Sequence, residues 1–172
     1  MISNVTLTTK EKYLLEDAKT HEEQCILKYG NYTNLATDPE LKAVFRRLEQ
    51  DEQKHLQTVN QLLSGTVPAM GGQSNQGNSQ QQQGQQSGQQ GQTTQQSAVG
   101  QSNNTSYNAS DKDLCTDMLM TEKYVSGAYD TSIFEFKDAQ VRDVLNHIQK
   151  EEQKHGEAIT AYMISKGMYT PK

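Results

Sequence analysis

Residues 38–55 read DPELKAVFRRLEQDEQKH and residues 138–155 read DAQVRDVLNHIQKEEQKH, and the two runs align without a gap at an offset of one hundred residues. The offset persists upstream, where Leu14, Asp17, Glu22 and Tyr29 recur as Leu114, Asp117, Glu122 and Tyr129. Such a repeat limits what the chain can become, because each unit has the same apolar face to bury. A unit of roughly 60 residues buries too little surface to stand alone. Two copies packed on each other solve that problem.

Each unit reads as a helical hairpin. Apolar residues recur at alternating spacings of three and four, the helical period, and no segment alternates with period two, so strands are not expected. The pattern predicts helices over 8–34, 39–63, 111–136 and 139–166. Asp38 and Asp138 suit N-caps, Pro39 suits a first helical position, and Gly65 and Gly167 suit the residue past a helix end. The units therefore span 1–65 and 111–172.

The stretch 66–110 is different material. It is dominated by Gln, Gly, Ser and Asn, and no charged side chain occurs between Leu56 and Ser110. This stretch accounts for the low apolar share of the whole chain, 33%. A segment of this composition cannot offset its ordering entropy and is expected to be disordered. A flexible linker of this length spans roughly 35–40 Å, and a 25-residue helix is about 37 Å long. The linker can therefore cross the full length of a bundle, and it can also self-associate or be crosslinked.

The net charge is −5 and the isoelectric point about 5.4, which argues against nucleic acid or an acidic membrane as partner. No basic region followed by an apolar run opens the chain, and no apolar run nears the roughly 18 residues that span a bilayer. A protein made and kept in solution inside a cell is expected. Cys25 and Cys115 both fall on core positions of helices and are expected to be buried free thiols.

Polar residues interrupt each apolar seam at mid-height. The seam of the second helix is Leu41, Phe45, Leu48, Glu52, His55, Val59 and Leu62; that of the fourth is Val141, Leu145, Ile148, Glu152, His155, Ile159 and Tyr162. The first helix gives Leu15, Ala18, Glu22, Cys25 and Tyr29, and the third Cys115, Met118, Glu122, Val125 and Tyr129. Seam positions face a bundle's interior. Four carboxylates and two imidazoles thus point inward, which is very unfavourable without compensation. Two divalent cations supply +4 against the −4 of the glutamates, and this donor set suits iron, manganese or zinc. One Glu from each of two helices plus a Glu-x-x-His from each of the others is the ligand pattern of di-iron and di-manganese bundles.

On those residues the chain resembles the ferritin-like family, and both hairpins share in the resemblance. It implies an all-α, ferritin-like four-helix bundle made of two duplicated hairpins, with the linker as its crossover and two iron or manganese ions as cofactor. Carried over, Glu22 and His55 would be terminal ligands of one metal, Glu122 and His155 of the other, with Glu52 and Glu152 bridging. Asp51 and Glu151 precede the bridging residues, where a carboxylate can accept the free N–H of a ligand histidine. In designed di-iron hairpins, which DEQKH also resembles, that acid serves the other hairpin's histidine. Tyr29 and Tyr129 are placed to donate a hydrogen bond to a bridging carboxylate. His21 and His147 lie off the seam and read as surface residues.

A narrower resemblance lies in the C-terminal half. MTEKY, EEQKH and the ending Gly-Met-Tyr are similar to the coat F family of bacterial spore coat proteins, over about 60 residues. Membership implies synthesis in the sporulating cell, a place on or near the spore surface, and other coat proteins as partners. The N-terminal half looks like a diverged copy, with THEE where the other has MTEK. Three functions follow: a coat-associated metal protein active on peroxide or oxygen, a cytoplasmic di-metal oxidoreductase with no coat role, and a structural coat protein whose site only clamps the hairpins. A homo-oligomer is compatible with each.

Overall fold

The structure is a computed structural model, and it describes residues 3–69 and 110–171. Four helices form: α1 Thr9–Leu35, α2 Pro39–Leu63, α3 Asp111–Ile133 and α4 Ala139–Ser165. Their starts are set by side chains that satisfy the first free N–H groups. Thr8 and Glu11 form a reciprocal capping box at α1, and Ser110 and Asp113 form another at α3. Asp38 accepts from Glu40 N (2.8 Å) with Pro39 next to it, and Asp138 accepts from Gln140 N and Val141 N.

α3 stops at Ile133, before the expected 136. Glu135 N and Phe136 N bond back to Ser132 O and Ile133 O in a tight final turn. That turn leaves Phe134 outside, 83% exposed, and returns Phe136 to the core. Burial of one aromatic ring thus overrides three residues of helix.

The expectation that strands are absent and that the linker begins at 66 needs correction. Ser3–Asn4 (β1) pairs antiparallel with Thr66–Val67 (β2), and Val5 N–H bonds Gly65 O at 2.8 Å. Gly65 turns the chain with a φ of 80°, and Val67 is buried on the core. Two residues are too few to show an alternating pattern in sequence. Positions 70–109 of the expected linker lie outside the described residues.

α1 packs on α2 and α3 on α4, with further contacts of α1 with α3 and α2 with α4. The core has two apolar parts. Leu15, Ala18, Val59, Leu62, Val125, Ile133, Val141 and Leu145 gather where α1 and α4 begin and α2 and α3 end. Ala36, Leu41, Phe45, Leu114, Met118, Ile159 and Tyr162 gather at the other end. α2 therefore ends, and α3 begins, at opposite ends of the bundle. Cys25 and Cys115 are free, buried, and belong to different parts of this core.

Two acids tie the hairpins together from their far ends. Asp111, in the first turn of α3, accepts from Thr37 N (2.8 Å), Thr37 Oγ1 (2.8 Å) and Asp38 N (2.9 Å) in the α1–α2 connection. Glu11, in the first turn of α1, accepts from Lys137 N (2.9 Å) in the α3–α4 connection. Burial alone would raise both carboxyls, yet the backbone donors hold each below its ordinary value.

Candidate metal centre

Between the two apolar parts lies a polar layer built from the middle of all four helices. Glu22, Glu52, His55, Glu122, Glu152 and His155 are all at most 3% exposed. The seam spacing explains why: three or four residues per step keep each of them on the inward face. Leu48 and Ile148 lie one turn before the two Glu-x-x-His pairs, and Val59 and Ile159 one turn after. The layer is therefore sealed above and below.

All six expected site residues are brought together. Donor atoms of Glu22, Glu52, His55 and Glu152 lie within 4.8 Å of one another, as do those of Glu52, Glu122, Glu152 and His155. The two groups share Glu52 and Glu152. His55 Nδ1 is 3.0 Å from Glu152, 3.3 Å from Glu52 and 3.7 Å from Glu22. His155 Nδ1 is 3.0 Å from Glu52, 3.5 Å from Glu122 and 3.7 Å from Glu152. The imidazoles stack with centroids 5.4 Å apart and present the same nitrogen to the carboxylates.

The layer is rich in acceptors and short of donors. Glu22 Oε2, Glu122 Oε2 and both oxygens of Glu152 are buried without a hydrogen-bond partner. Some lie near an imidazole, but not in hydrogen-bonding alignment. Without a cation, protons must supply the compensation. Burial pushes Glu22 and Glu122 up to about 8, with carboxylate neighbours adding to the rise. Burial also opposes charge on His55 and His155, but the surrounding carboxylates outweigh it: His155 is held up to about 11 and His55 further still. Hydrogen bonds from His155 and His55 keep Glu52 below its usual range, and the two imidazoles beside Glu152 hold it down to about 2, against burial. Two ionised glutamates then balance two imidazolium ions. Two divalent ions would balance four ionised glutamates with neutral histidines, so the donor set fits such a pair.

The residues around the layer depart from expectation in two respects. Glu151 accepts from His55 Nε2 of the other hairpin at 2.9 Å, and burial does not prevent this bond from holding its carboxyl low. Asp51 does not do the same for His155; it pairs with Lys54 at 2.6 Å. Aspartate is one methylene shorter than glutamate, and Lys54 sits one turn away on the same helix. Second, Tyr29 donates to Glu122 and Tyr129 to Glu22, so the hydroxyls reach the first- and third-helix glutamates of the opposite hairpin instead of Glu52 and Glu152. Seven residues place each tyrosine two turns from its own helix's glutamate, and its hydroxyl reaches the glutamate of the facing antiparallel helix. His147 is half-exposed, 3.5 Å from Glu151, and His21 meets Tyr124 edge-on. Burial raises the Cys25 thiol far above its usual value, and the nearby glutamates add to the effect.

The sequence reading missed a groove between α3 and α4, of about 700 Å³, that reaches Glu122 and Glu152. Its signal was present in the repeat, where Gly127 and Gly156 replace Leu27 and Leu56. A smaller cleft of about 320 Å³ touches His155, Asp51 and Glu151. Among the described residues, no helix is long and apolar enough to cross a membrane.

No curated protein and no solved structure matches this chain. Residues 110–172, which carry α3, α4 and the site residues Glu122, Glu151, Glu152 and His155, match the Coat F domain.

Proposed function

We propose that this chain is a spore-coat-associated protein of ferritin-like architecture, two duplicated hairpins joined by the low-complexity segment between β2 and α3, that holds two iron or manganese ions at mid-height. One observation carries the metal reading: four buried carboxylate oxygens lack a hydrogen-bond partner inside two donor groups that share Glu52 and Glu152. Leaving those acceptors unsatisfied costs about 1–3 kcal/mol each, more when charged. Glu22 and His55 hold one ion, Glu122 and His155 the other, and Glu52 and Glu152 address both. Glu151 orients His55 through Nε2, and Tyr29 and Tyr129 fix the rotamers of Glu122 and Glu22. When bound, such a pair of ions supplies redox chemistry with peroxide or dioxygen.

The coat assignment rests on the likeness of residues 110–172 to the Coat F domain, and other coat proteins are its expected partners. A purely structural role is the second reading, favoured by the number of site contacts that join one hairpin to the other. Metal analysis of the purified protein tests the site. About two ions per chain are expected, and none in the Glu52→Ala, Glu152→Ala double variant. A protein that cannot be loaded, and melts alike with and without metal, would refute the metal reading. Peroxide consumption by the loaded protein separates a redox role from a clamp. Fractionation of spores tests the coat assignment, which fails if the protein stays wholly in the mother-cell cytoplasm.

A further inference from the structure

The polar layer is sealed along the bundle axis but differs on its two hairpin faces. On the α1–α2 face, the register carries Ile26, Leu27 and Leu56; on the α3–α4 face the corresponding residues are Ser126, Gly127 and Gly156. Both glycines sit inside helices, where glycine is unfavourable relative to alanine and no turn requires it. Neither has a positive φ. A Cβ on Gly127 would meet nothing within 4 Å, and one on Gly156 would meet only Leu119 Cδ1 at 3.4 Å. Backbone crowding therefore does not explain either glycine.

What the missing side chains leave is the groove between α3 and α4, with Leu119 and Ile164 along its wall and Glu122 and Glu152 lining it. Glu122 Oε2 and both Glu152 oxygens are among the buried atoms without a partner. Two of the glutamates that carry these buried, unpartnered oxygens thus lie in the lining of the groove.

We propose that this groove is the entrance by which a small exogenous molecule reaches the metal centre, and that Gly156, with Gly127, keeps it open. The proposal rests on the metal reading above. The space that Gly156 leaves is that of one leucine side chain, which admits a two- or three-atom molecule such as a peroxide or a small monoanion. On the α1–α2 face the same register holds the partly buried Leu56 and the exposed Leu27 in place of the two glycines. The ion held by Glu122 and His155 is then the one that meets a molecule entering by this groove.

Azide is a suitable probe, because it reports binding without turnover. The full-length protein and its Gly156→Ala and Gly156→Leu variants are loaded with metal, their metal content is measured, and azide binding is followed by absorption. All three are expected to hold two ions, because the added Cβ is in ordinary contact distance of a movable leucine tip. Azide association should slow stepwise, by tenfold or more in the leucine variant. Unchanged azide association in a metal-replete leucine variant overturns the entrance while leaving the metal site intact, and points to the cleft at His155. A leucine variant that loses metal shifts the comparison to the alanine variant, where unchanged association again overturns the entrance. A wild-type protein without metal overturns both this proposal and the reading beneath it.

Discussion

Replacing Asp111 by alanine should destabilise the bundle by about 2–3 kcal/mol at neutral pH. The carboxylate takes three hydrogen bonds from the other hairpin, from Thr37 N, Thr37 Oγ1 and Asp38 N, at 2.8–2.9 Å. Bonds to a charged acceptor contribute about 1.5–3 kcal/mol each, but such values do not add. Thr37 is exposed and Asp38 half-buried, so water can recover part of what the two N–H groups lose. The α3 N-terminus adds about 0.3–1 kcal/mol for a carboxylate in its first turn. For a chain of this size the sum lowers the melting temperature by about 5–10 °C. The assay is thermal unfolding followed by helical circular dichroism, with chelator present so that metal does not contribute. The sign with pH is fixed. The folded carboxyl of Asp111 lies below its ordinary value, so its stabilisation is complete above the unfolded pKa of about 3.9 and is lost as pH falls through the lower folded value. The gap between wild type and variant should be full at pH 7 and shrink below about pH 4. A shift under about 2 °C at pH 7, or a gap that stays constant into acid, would refute the argument.

Metal loading at pH 7 should release about four protons per two ions, two from Glu22 and Glu122 and two from His55 and His155. Calorimetry in buffers of different ionisation enthalpy counts them; near pH 9.5, above the values of about 8 held by the two glutamates, the count should fall towards two. Heat that does not depend on buffer would contradict the charge balance described for the metal-free layer. Gly65→Ala should cost about 1–2 kcal/mol, since a Cβ there combines a φ of 80° with a contact of 2.9 Å to Val5 O. Gly127→Ala, in open helix, should instead stabilise by up to about 1 kcal/mol, and equal signs in urea unfolding would sink the contrast.

The helices, the seam and the six clustered residues were legible because each has a period and the period occurs twice. A single Glu-x-x-His is a common accident; two at one offset, flanked by Leu48 and Ile148, are not. What was illegible depends on small differences that periodicity ignores. Asp51 and Glu151 occupy equivalent positions, yet one methylene decides that Glu151 reaches the opposite histidine and Asp51 does not. The targets of Tyr29 and Tyr129 depend on the relative height of antiparallel helices, which no single helix pattern contains. The pairing of Asn4 with Thr66 is too short to have a pattern at all. Glu11 and Asp111 hold equivalent places in the repeat, but their reach into the opposite connection is purely tertiary.

Those ties also bear on how the chain comes to fold. Helical bundles with short loops fold quickly because their contacts are local. Here the polar contacts that fasten the structure join residues far apart in sequence: Thr37 to Asp111 across 74 positions, Tyr29 to Glu122 across 93, Tyr129 to Glu22 across 107 and Lys137 to Glu11 across 126. Each hairpin can form early, but neither can fill its hydrogen bonds until the other arrives. The entropy of closing so long a loop rises only with the logarithm of its length, so the intervening segment can vary in length at little cost to the folding rate. The meeting of the two halves is therefore the step expected to be slow, because the hydrogen bonds that join one hairpin to the other can form only then.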